Sequence, residues 1–223
     1  VLMTREDLTI IYYTSSQEHP DFEAKIRASL QDTIGDLPLI SVSQTPLDFG
    51  TNICVGDVGI SSQNAFRQLQ IGAEAATTRF VCSAEADFLY PREYFAFHPE
   101  RRDILYSCQP VYLLFGGRRG AFYPKRHSEG AMMVGRDYLI AAIDRMLRGL
   151  ELWNRILERD GGRPIPFLFV PNGRERFDTT IPSVSFRTDH QMHRKTPFIA
   201  EGRCTDLPYW GSARDLWSKY CDA

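Results

Sequence analysis

The order of the apolar runs in the first 83 residues is the feature that most restricts the fold of this chain. Three runs rich in β-branched and aromatic side chains have the length and composition of buried strands: Leu8 to Tyr13, Leu37 to Val42 and Arg79 to Ser83. Two segments with helical spacing lie between them, carrying Phe22, Ile26 and Leu30, then Phe66, Leu69, Ala73 and Ala76. This alternation predicts an α/β fold with a Rossmann-like, mostly parallel central sheet flanked by helices.

Residues typical of helix ends lie at the boundaries of the two helical segments. Gly35 is expected to end the first helix, and Ser61 or Ser62 to cap the second. In sheets of this kind ligands bind outside the carboxyl ends of the strands. The loops after Tyr13, Val42 and Ser83 are therefore the candidate binding loops.

The second half of the sequence is less regular. We expect strands over residues 104–108 and 111–115, a helix from Asp137 to Arg159, short strands over 167–170 and 184–186, and an aperiodic C-terminal wrap from 196 to 223. Residues 43–59 are expected to form a loop rich in turn residues. Nothing resembling a repeat or a low-complexity linker divides the chain, so we predict one domain over residues 1–223.

Composition restricts the class of protein and its compartment. A hydrophobic fraction of 43% is enough to build a core, and a formal net charge of −2 argues against a chain that is basic overall, although a local basic face stays open. Five cysteines, an odd number without zinc-site spacing, indicate free thiols in a reducing compartment. Because residues 1–7 do not resemble a signal peptide and no apolar run reaches about 18 residues, a cytoplasmic location is expected, in the host if the protein is viral.

Two acidic residues directly after the third predicted strand form the sharpest motif. In an extended segment residues i and i+2 point the same way, so Glu85 and Asp87 can face one cation. Mg²⁺ and Mn²⁺ prefer oxygen ligands and keep coordination positions free for water or phosphate. The motif therefore predicts a divalent metal site at the end of this strand, although the same spacing also occurs in solvated surface acids.

The stretch from Gly59 to Pro91 resembles the nucleotide-sugar half of type-A fold (GT-A) glycosyltransferases of the family-2-like type. The resemblance rests on Asn64 and Arg67 at the start of a helix, on Ala76, Thr78, Phe80 and Val81 before the motif, on Glu85-Ala86-Asp87 in place of an Asp-x-Asp motif, and on Leu89-Tyr90-Pro91 after it. It covers residues 8–100, the nucleotide-sugar half. Residues 101–223 would form the acceptor half and the C-terminal wrap.

The resemblance implies roles for particular residues. The residues that would bind the nucleotide are Thr14, Ser15, Ser43, Gln44, Asn64, Arg67 and Gln68. Glu85 and Asp87 would hold Mn²⁺ or Mg²⁺, with His190, in preference to His193, as the third ligand. Asp87 thereby counts as catalytic, because the cation neutralises the leaving diphosphate. Glu129 is the first choice for the base that takes the acceptor proton, ahead of Asp137 and Glu175.

The function implied is a metal-dependent, inverting transfer of a sugar from a nucleotide diphosphate, most simply a UDP-sugar, to an acceptor hydroxyl. Related free-standing enzymes occur in bacterial surface-glycan clusters and in phages, where they add sugars to hydroxymethylated DNA bases; either acceptor is open, and DNA modification would fit a phage origin. The sequence has two basic segments: residues 116–126, and a second one that contains Arg187, Arg194 and Lys195. Each segment could bind phosphates or DNA, or could be a solvated loop. The alternative is a non-catalytic module of the same fold that binds a nucleotide-sugar or a glycan.

Overall fold

The computed structural model describes residues 6–116, 120–126, 128–155, 170–190 and 202–222. The helices in this part of the chain are α1 Pro20–Ile34, α2 Ser62–Ala75, α3 Arg92–Ala96, α4 Arg136–Met146 and α5 Ala213–Cys221. The strands of the first half are β1 Leu8–Thr14, β2 Leu39–Ser43, β3 Thr51–Cys54, β4 Phe80–Glu85 and β5 Phe88–Leu89. Those of the second half are β6 Leu105–Phe115, β7 Ala121–Lys125, β8 Met132–Gly135, β9 Arg174–Arg187, β10 Asp206–Leu207 and β11 Gly211–Ser212.

Nine of the described strands form one sheet in the order β3-β2-β1-β4-β8-β6-β9-β5, with β7 paired to β6 outside this path. The four strands β3, β2, β1 and β4 are all parallel, which confirms the prediction for the first half. The sheet continues through antiparallel β8 to β6, and β9 then pairs in parallel with β6. The carboxyl ends of β1, β2 and β4 therefore meet at one edge of the sheet.

Side chains along β1 alternate between two cores, as the pleat requires. Ile10 and Tyr12 pack on the side that also receives Leu30 from α1, whereas Ile11 and Tyr13 pack on the side covered by α2 and α4. The helices thus cover both faces of the central strands. Because helices cover both faces, all seven residues of β1 are buried and not the alternate ones only.

Two helix ends match their predictions. The Ser61 side chain accepts a hydrogen bond from the Asn64 amide at the start of α2. Gly35 follows α1 with φ 60°, a conformation that glycine adopts without a steric penalty. All five cysteines are outside disulfides, and Cys82 and Cys108 are buried.

Several predictions for the remaining segments are wrong. The helix expected from Asp137 to Arg159 ends at Met146, and the chain described up to residue 155 is not helical. The expected loop 43–59 contains β3, the two expected strands at 104–115 are one strand, and 184–186 is the end of a strand of 14 residues. The expected C-terminal wrap contains α5 and the β10–β11 hairpin. The expected strand at 167–170 lies outside the described residues except Val170, which is not in a strand.

None of the described helices combines the length and the apolar character that crossing a bilayer requires.

Candidate active site

An open cleft lies where the carboxyl ends of β1, β2 and β4 meet, and we call it the nucleotide cleft. Its cavity volume is about 160 Å³, below the roughly 300–1,000 Å³ of sites that enclose drug-sized ligands, and the cleft is open to solvent. The side chains along it come from the loops after these strands, the start of α2 and the end of β9. They include Tyr13, Thr14, Ser15, Glu18, Gln44, Asn64, Gln68, Glu85, Asp87, Arg187 and His190.

Glu85, the last residue of β4, contacts Tyr13 through its carboxylate and Tyr90 through its backbone amide. Its Oε1 accepts a hydrogen bond of 2.6 Å from the Tyr13 hydroxyl. The Tyr90 hydroxyl receives the Glu85 amide N–H at 2.9 Å and itself donates to the Gly130 carbonyl. A Cβ built on Gly130 would overlap the Glu85 carboxylate in its present position, so a larger residue here requires that side chain to shift.

The Asp87 carboxylate lies in the turn between β4 and β5, beside the end of β9. Its Oδ2 accepts a hydrogen bond of 3.1 Å from the Ser185 hydroxyl and lies 3.7 Å from Nη1 of Arg187. The Asp87 and Arg187 side chains are only 14% and 11% exposed, so this ion pair is largely removed from water. β9 therefore fixes the orientation of Asp87 from a position 98 residues further along the chain.

Two carboxylates and two cations, Lys125 and Arg187, share the poorly solvated end of the cleft. Burial, followed by the neighbouring Asp87 charge, raises the pKa of the Glu85 carboxyl. Burial also lowers the pKa of the nearby Lys125 ammonium, which donates a hydrogen bond of 3.0 Å to Ser128. Since two acidic side chains crowd one poorly solvated edge, a bound cation would relieve their mutual repulsion.

Glu85 and Asp87 are the two carboxylates at the end of β4 that could hold a divalent metal. Among the described residues, no group of three His, Cys, Asp or Glu side chains converges in an arrangement that could hold a metal. Glu85 and Asp87 line the same cleft, and Mg²⁺ is commonly held by one or two carboxylates together with substrate phosphates and water. A metal held here would draw its other ligands from the diphosphate and from water.

A second carboxylate in the cleft joins the loop after β1 to the end of β9. The Thr188 hydroxyl lies 2.9 and 2.8 Å from the two oxygens of Glu18, and it accepts the His190 amide N–H at 3.3 Å. One hydroxyl therefore links Glu18 to the backbone of His190. We call this chain of hydrogen bonds the Glu18–Thr188 link.

Removing the Thr188 hydroxyl is expected to destabilise the fold. Thr188→Val leaves the half-buried Glu18 carboxylate without its donor, and a hydrogen bond to a charged group contributes about 1.5–3 kcal/mol. We expect the free energy of unfolding, measured by urea denaturation at pH 8, to fall by about 2 kcal/mol. Thr188→Ser, which keeps the hydroxyl, should stay close to the wild type. A Thr188→Val protein as stable as the wild type would show that the link contributes nothing.

Glu18 is also expected to make stability depend on pH. Burial raises the pKa of its carboxyl from 4.5 to about 7, so between these values the folded protein holds a proton that the unfolded chain has lost. Glu18 therefore contributes stability that is complete below pH 4.5 and is lost as the pH rises through 7, by up to about 3 kcal/mol. Wild type should lose stability relative to Glu18→Gln between pH 5 and pH 8. An unchanged difference between the two proteins would contradict this assignment.

The structure brings eight of the sequence-predicted residues to the nucleotide cleft: Thr14, Ser15, Gln44, Asn64, Gln68, Glu85, Asp87 and His190. The Gln68 amide donates to the carbonyls of Thr14 at 2.8 Å and Val42 at 3.0 Å, and so ties together the ends of β1 and β2. The Asn64 amide nitrogen donates to Val58, Gly59 and Asn154 carbonyls, and its oxygen accepts from the Asn154 amide at 2.8 Å. Both amides shape the wall of the cleft through backbone contacts.

The other predicted residues lie elsewhere. Ser43 is buried and donates to the Thr45 carbonyl at 2.6 Å, and Arg67 donates to Gln70 at 2.7 Å; neither lines the cleft. Glu129 forms an ion pair of 3.3 Å with Arg174, although its carbonyl accepts from Ser83 at 2.8 Å and so keeps it near the end of β4. Asp137, a weaker candidate base, is 89% exposed and pairs with Arg136. The weaker candidate Glu175 is exposed, and His193 lies outside the described residues.

Sequence reasoning missed three residues that shape the site: Tyr13, Glu18 and Gly130. Tyr13 and Glu18 belong to the strand end and loop that the topology had already marked, so the rule that found Thr14 could also have found them. Gly130 carries no local signal, because its importance comes from the approach of Glu85, 45 positions away in the chain.

Comparisons with known proteins address the fold. No protein-family model matches the sequence, and no curated protein matches it. Among solved structures, S. aureus TarS 1–349 in complex with UDP-GlcNAc is similar, with a TM-score of 0.50 at 11% identity. The similarity covers 86% of this chain and 62% of the solved TarS chain, which is less than two thirds of it. The chain has a GT-A type fold.

Two further solved structures are similar with lower scores. A glycosyltransferase involved in the glycosylation of the major capsid of PBCV-1 has a TM-score of 0.44 at 16% identity, over 77% of this chain and 82% of that one. The bifunctional IspDF from Campylobacter jejuni has a TM-score of 0.38 at 9% identity, over 66% of this chain and 45% of that one. At these identities the GT-A likeness to TarS concerns the fold, and the chemistry has to be argued from the cleft.

Proposed function

We propose that this protein is a metal-dependent glycosyltransferase that moves a sugar from a UDP-sugar to an acceptor hydroxyl, with inversion at the anomeric carbon. The observation that carries the proposal is the position of Glu85 and Asp87. They lie together at the carboxyl edge of parallel strands, in an open cleft, on a fold shared with TarS, which was solved with UDP-GlcNAc.

The walls of the cleft divide into two regions of different chemistry. Thr14, Ser15 and Gln44 offer polar groups at the ends of β1 and β2, which suits a nucleobase and ribose. Glu85, Asp87 and Arg187 lie at the ends of β4 and β9, which suits the charged diphosphate. A divalent metal on the two carboxylates would neutralise charge that develops on the leaving diphosphate. Arg187, already oriented by Asp87, would donate hydrogen bonds to the phosphate oxygens.

Glu129 stays our candidate for the base that accepts the proton of the acceptor hydroxyl. It lies next to Gly130, whose backbone contacts the Glu85 carboxylate, so it is close to the diphosphate end of the cleft. Its ion pair with Arg174 joins two side chains that are 37% and 29% exposed, and such pairs are weak enough to open when an acceptor arrives. The acceptor would be a surface glycan or a hydroxymethylated DNA base.

The test is release of UDP from a panel of UDP-sugars, measured with Mn²⁺, with Mg²⁺ and with EDTA. We expect UDP release that depends on the metal and that increases when a glycan or hydroxymethylated DNA acceptor is supplied. UDP binding without release would assign the protein as a non-catalytic module. Activity that survives EDTA would contradict metal dependence, and absence of both binding and release would contradict the whole proposal.

A further inference from the structure

A second cleft lies between α1, α5 and the turn of the β10–β11 hairpin, and we call it the hairpin cleft. Its cavity volume is about 660 Å³, and it shares no lining residue with the nucleotide cleft. Tyr90 is among the residues that line the hairpin cleft, and its hydroxyl contacts the Glu85 amide and the Gly130 carbonyl. Nothing in the proposed nucleotide chemistry uses this second cleft.

One wall of the hairpin cleft is a fixed aromatic platform. Tyr209 is 73% exposed, the most exposed of the large hydrophobic side chains in the described chain, and its φ of 73° is unusual for a residue other than glycine. The Trp210 ring packs edge-on against it at 4.8 Å, and the Trp210 indole N–H donates to the Pro182 carbonyl at 2.7 Å. The hairpin thus holds an aromatic face towards solvent although its backbone conformation is costly.

The lining of the hairpin cleft carries more positive than negative charge. Lys25, Arg92 and Lys219 line it, and none of them forms an ion pair with any residue that the structure describes, although Lys25 donates to the Tyr220 and Asp222 carbonyls at 3.4 Å. Arginines elsewhere on the described surface do form such pairs, for example Arg101 with Asp103 at 2.8 Å. The lining contains a single acid, Asp32. Three cations against one carboxylate leave a net positive groove.

We propose that the hairpin cleft binds a short segment of single-stranded nucleic acid, with one base stacked on Tyr209 and adjacent phosphates against Lys25, Arg92 and Lys219. A positive groove that includes an exposed aromatic face is the arrangement that binds single strands without reading their sequence. A neutral glycan would leave the three cations uncompensated, and a simple polyanion would leave the aromatic platform unused. This binding site is independent of the UDP-sugar chemistry proposed above.

The test compares two fluorescently labelled 12-nucleotide probes by anisotropy, oligo-dT and an abasic strand with the same backbone, in the absence of any nucleotide-sugar. We expect oligo-dT to bind about tenfold more tightly than the abasic strand, because base stacking on an aromatic side chain adds this order of affinity. Tyr209→Ala should remove that difference and Tyr209→Phe should retain it. Contacts to three phosphates predict a slope of about −2 in log affinity against log salt concentration.

Lys219→Glu should weaken binding of both probes about tenfold or more and make the salt slope shallower, whereas Arg148→Glu, an exposed cation outside the cleft, should change neither. Equal binding of the two probes, or loss of affinity in the Arg148 control as large as in Lys219→Glu, would show non-specific adhesion and overturn the proposal. Absence of oligo-dT binding at 50 mM salt would overturn it as well. These outcomes are read without turnover, so they are separate from failure of the proposed function.

Discussion

Asp87→Asn should lower UDP release from a UDP-sugar by at least about 100-fold, the scale on which one preorganised electrostatic contact to a transition state acts. Asparagine keeps the shape and can still accept the Ser185 hydroxyl, but it carries no charge for a cation or for Arg187. The loss should therefore appear in turnover while the fold is retained. The measurement is initial rate at saturating Mn²⁺, with far-ultraviolet circular dichroism as the check on folding.

Asp48→Asn is the matched control, because Asp48 is an exposed acid that does not line the nucleotide cleft. It should retain wild-type turnover. If Asp87→Asn retained more than about a tenth of the activity, the assignment of this carboxylate to the reacting end of the cleft would be wrong.

Gly130→Ala should have the second largest effect, because the added methyl group would overlap the Glu85 carboxylate. The Tyr13 hydroxyl holds Oε1 of Glu85, which restricts movement of the carboxylate. The new Cβ would also lie 3.0 Å from the Phe88 ring. Overpacking at a buried position costs about 1–3 kcal/mol, so we expect the free energy of unfolding to fall by that amount. The affinity for UDP with Mn²⁺, measured by calorimetry, should fall about tenfold.

A second substitution separates displacement of the carboxylate from general damage. Aspartate is one methylene shorter than glutamate, so Gly130→Ala combined with Glu85→Asp should recover part of the lost stability. A single variant indistinguishable from the wild type in both stability and UDP affinity would mean that Glu85 relaxes without cost and that the contact has no functional importance.

The order of strands and helices in the first half was predictable because each element is encoded locally. Apolar runs at β1, β2 and β4 and the spacing of residues on α1 and α2 are visible in a short window of sequence. β3 was missed because its residues are exposed or half-buried and form no apolar run. It exists because its backbone pairs with β2, which is a tertiary property.

The long helix predicted from Asp137 failed for a different physical reason. Leu150 and Leu152 look like a continuation of the apolar stripe, yet they are 44% and 59% exposed. Gly149, with φ 80°, follows the end of the helix and turns the chain back towards α2. There the Gln63 amide donates to the Glu151 carbonyl at 2.6 Å. The spacing of apolar residues alone could not distinguish a chain that turns back after Gly149 from a helix that continues.

The residues of the candidate site that lie at strand ends were predictable from the sequence. Those whose position depends on contacts between residues far apart in the sequence were not. The topology rule selected the loops that follow β1, β2 and β4, and Thr14, Gln44, Glu85 and Asp87 at these strand ends all line the nucleotide cleft. Arg67 shares α2 with cleft residues but lies on another side of that helix, and sequence spacing did not settle the helix rotation. The Glu18–Thr188 link joins residues 170 positions apart, and no local pattern encodes it.

The most direct test of the central claim is a crystal structure of the protein with UDP and Mn²⁺, collected with anomalous data. The account predicts a manganese peak within coordination distance of Asp87, a diphosphate beside Arg187, and a uracil ring near Thr14 and Gln44. A nucleotide bound elsewhere, or a manganese ion that touches neither Glu85 nor Asp87, would contradict it.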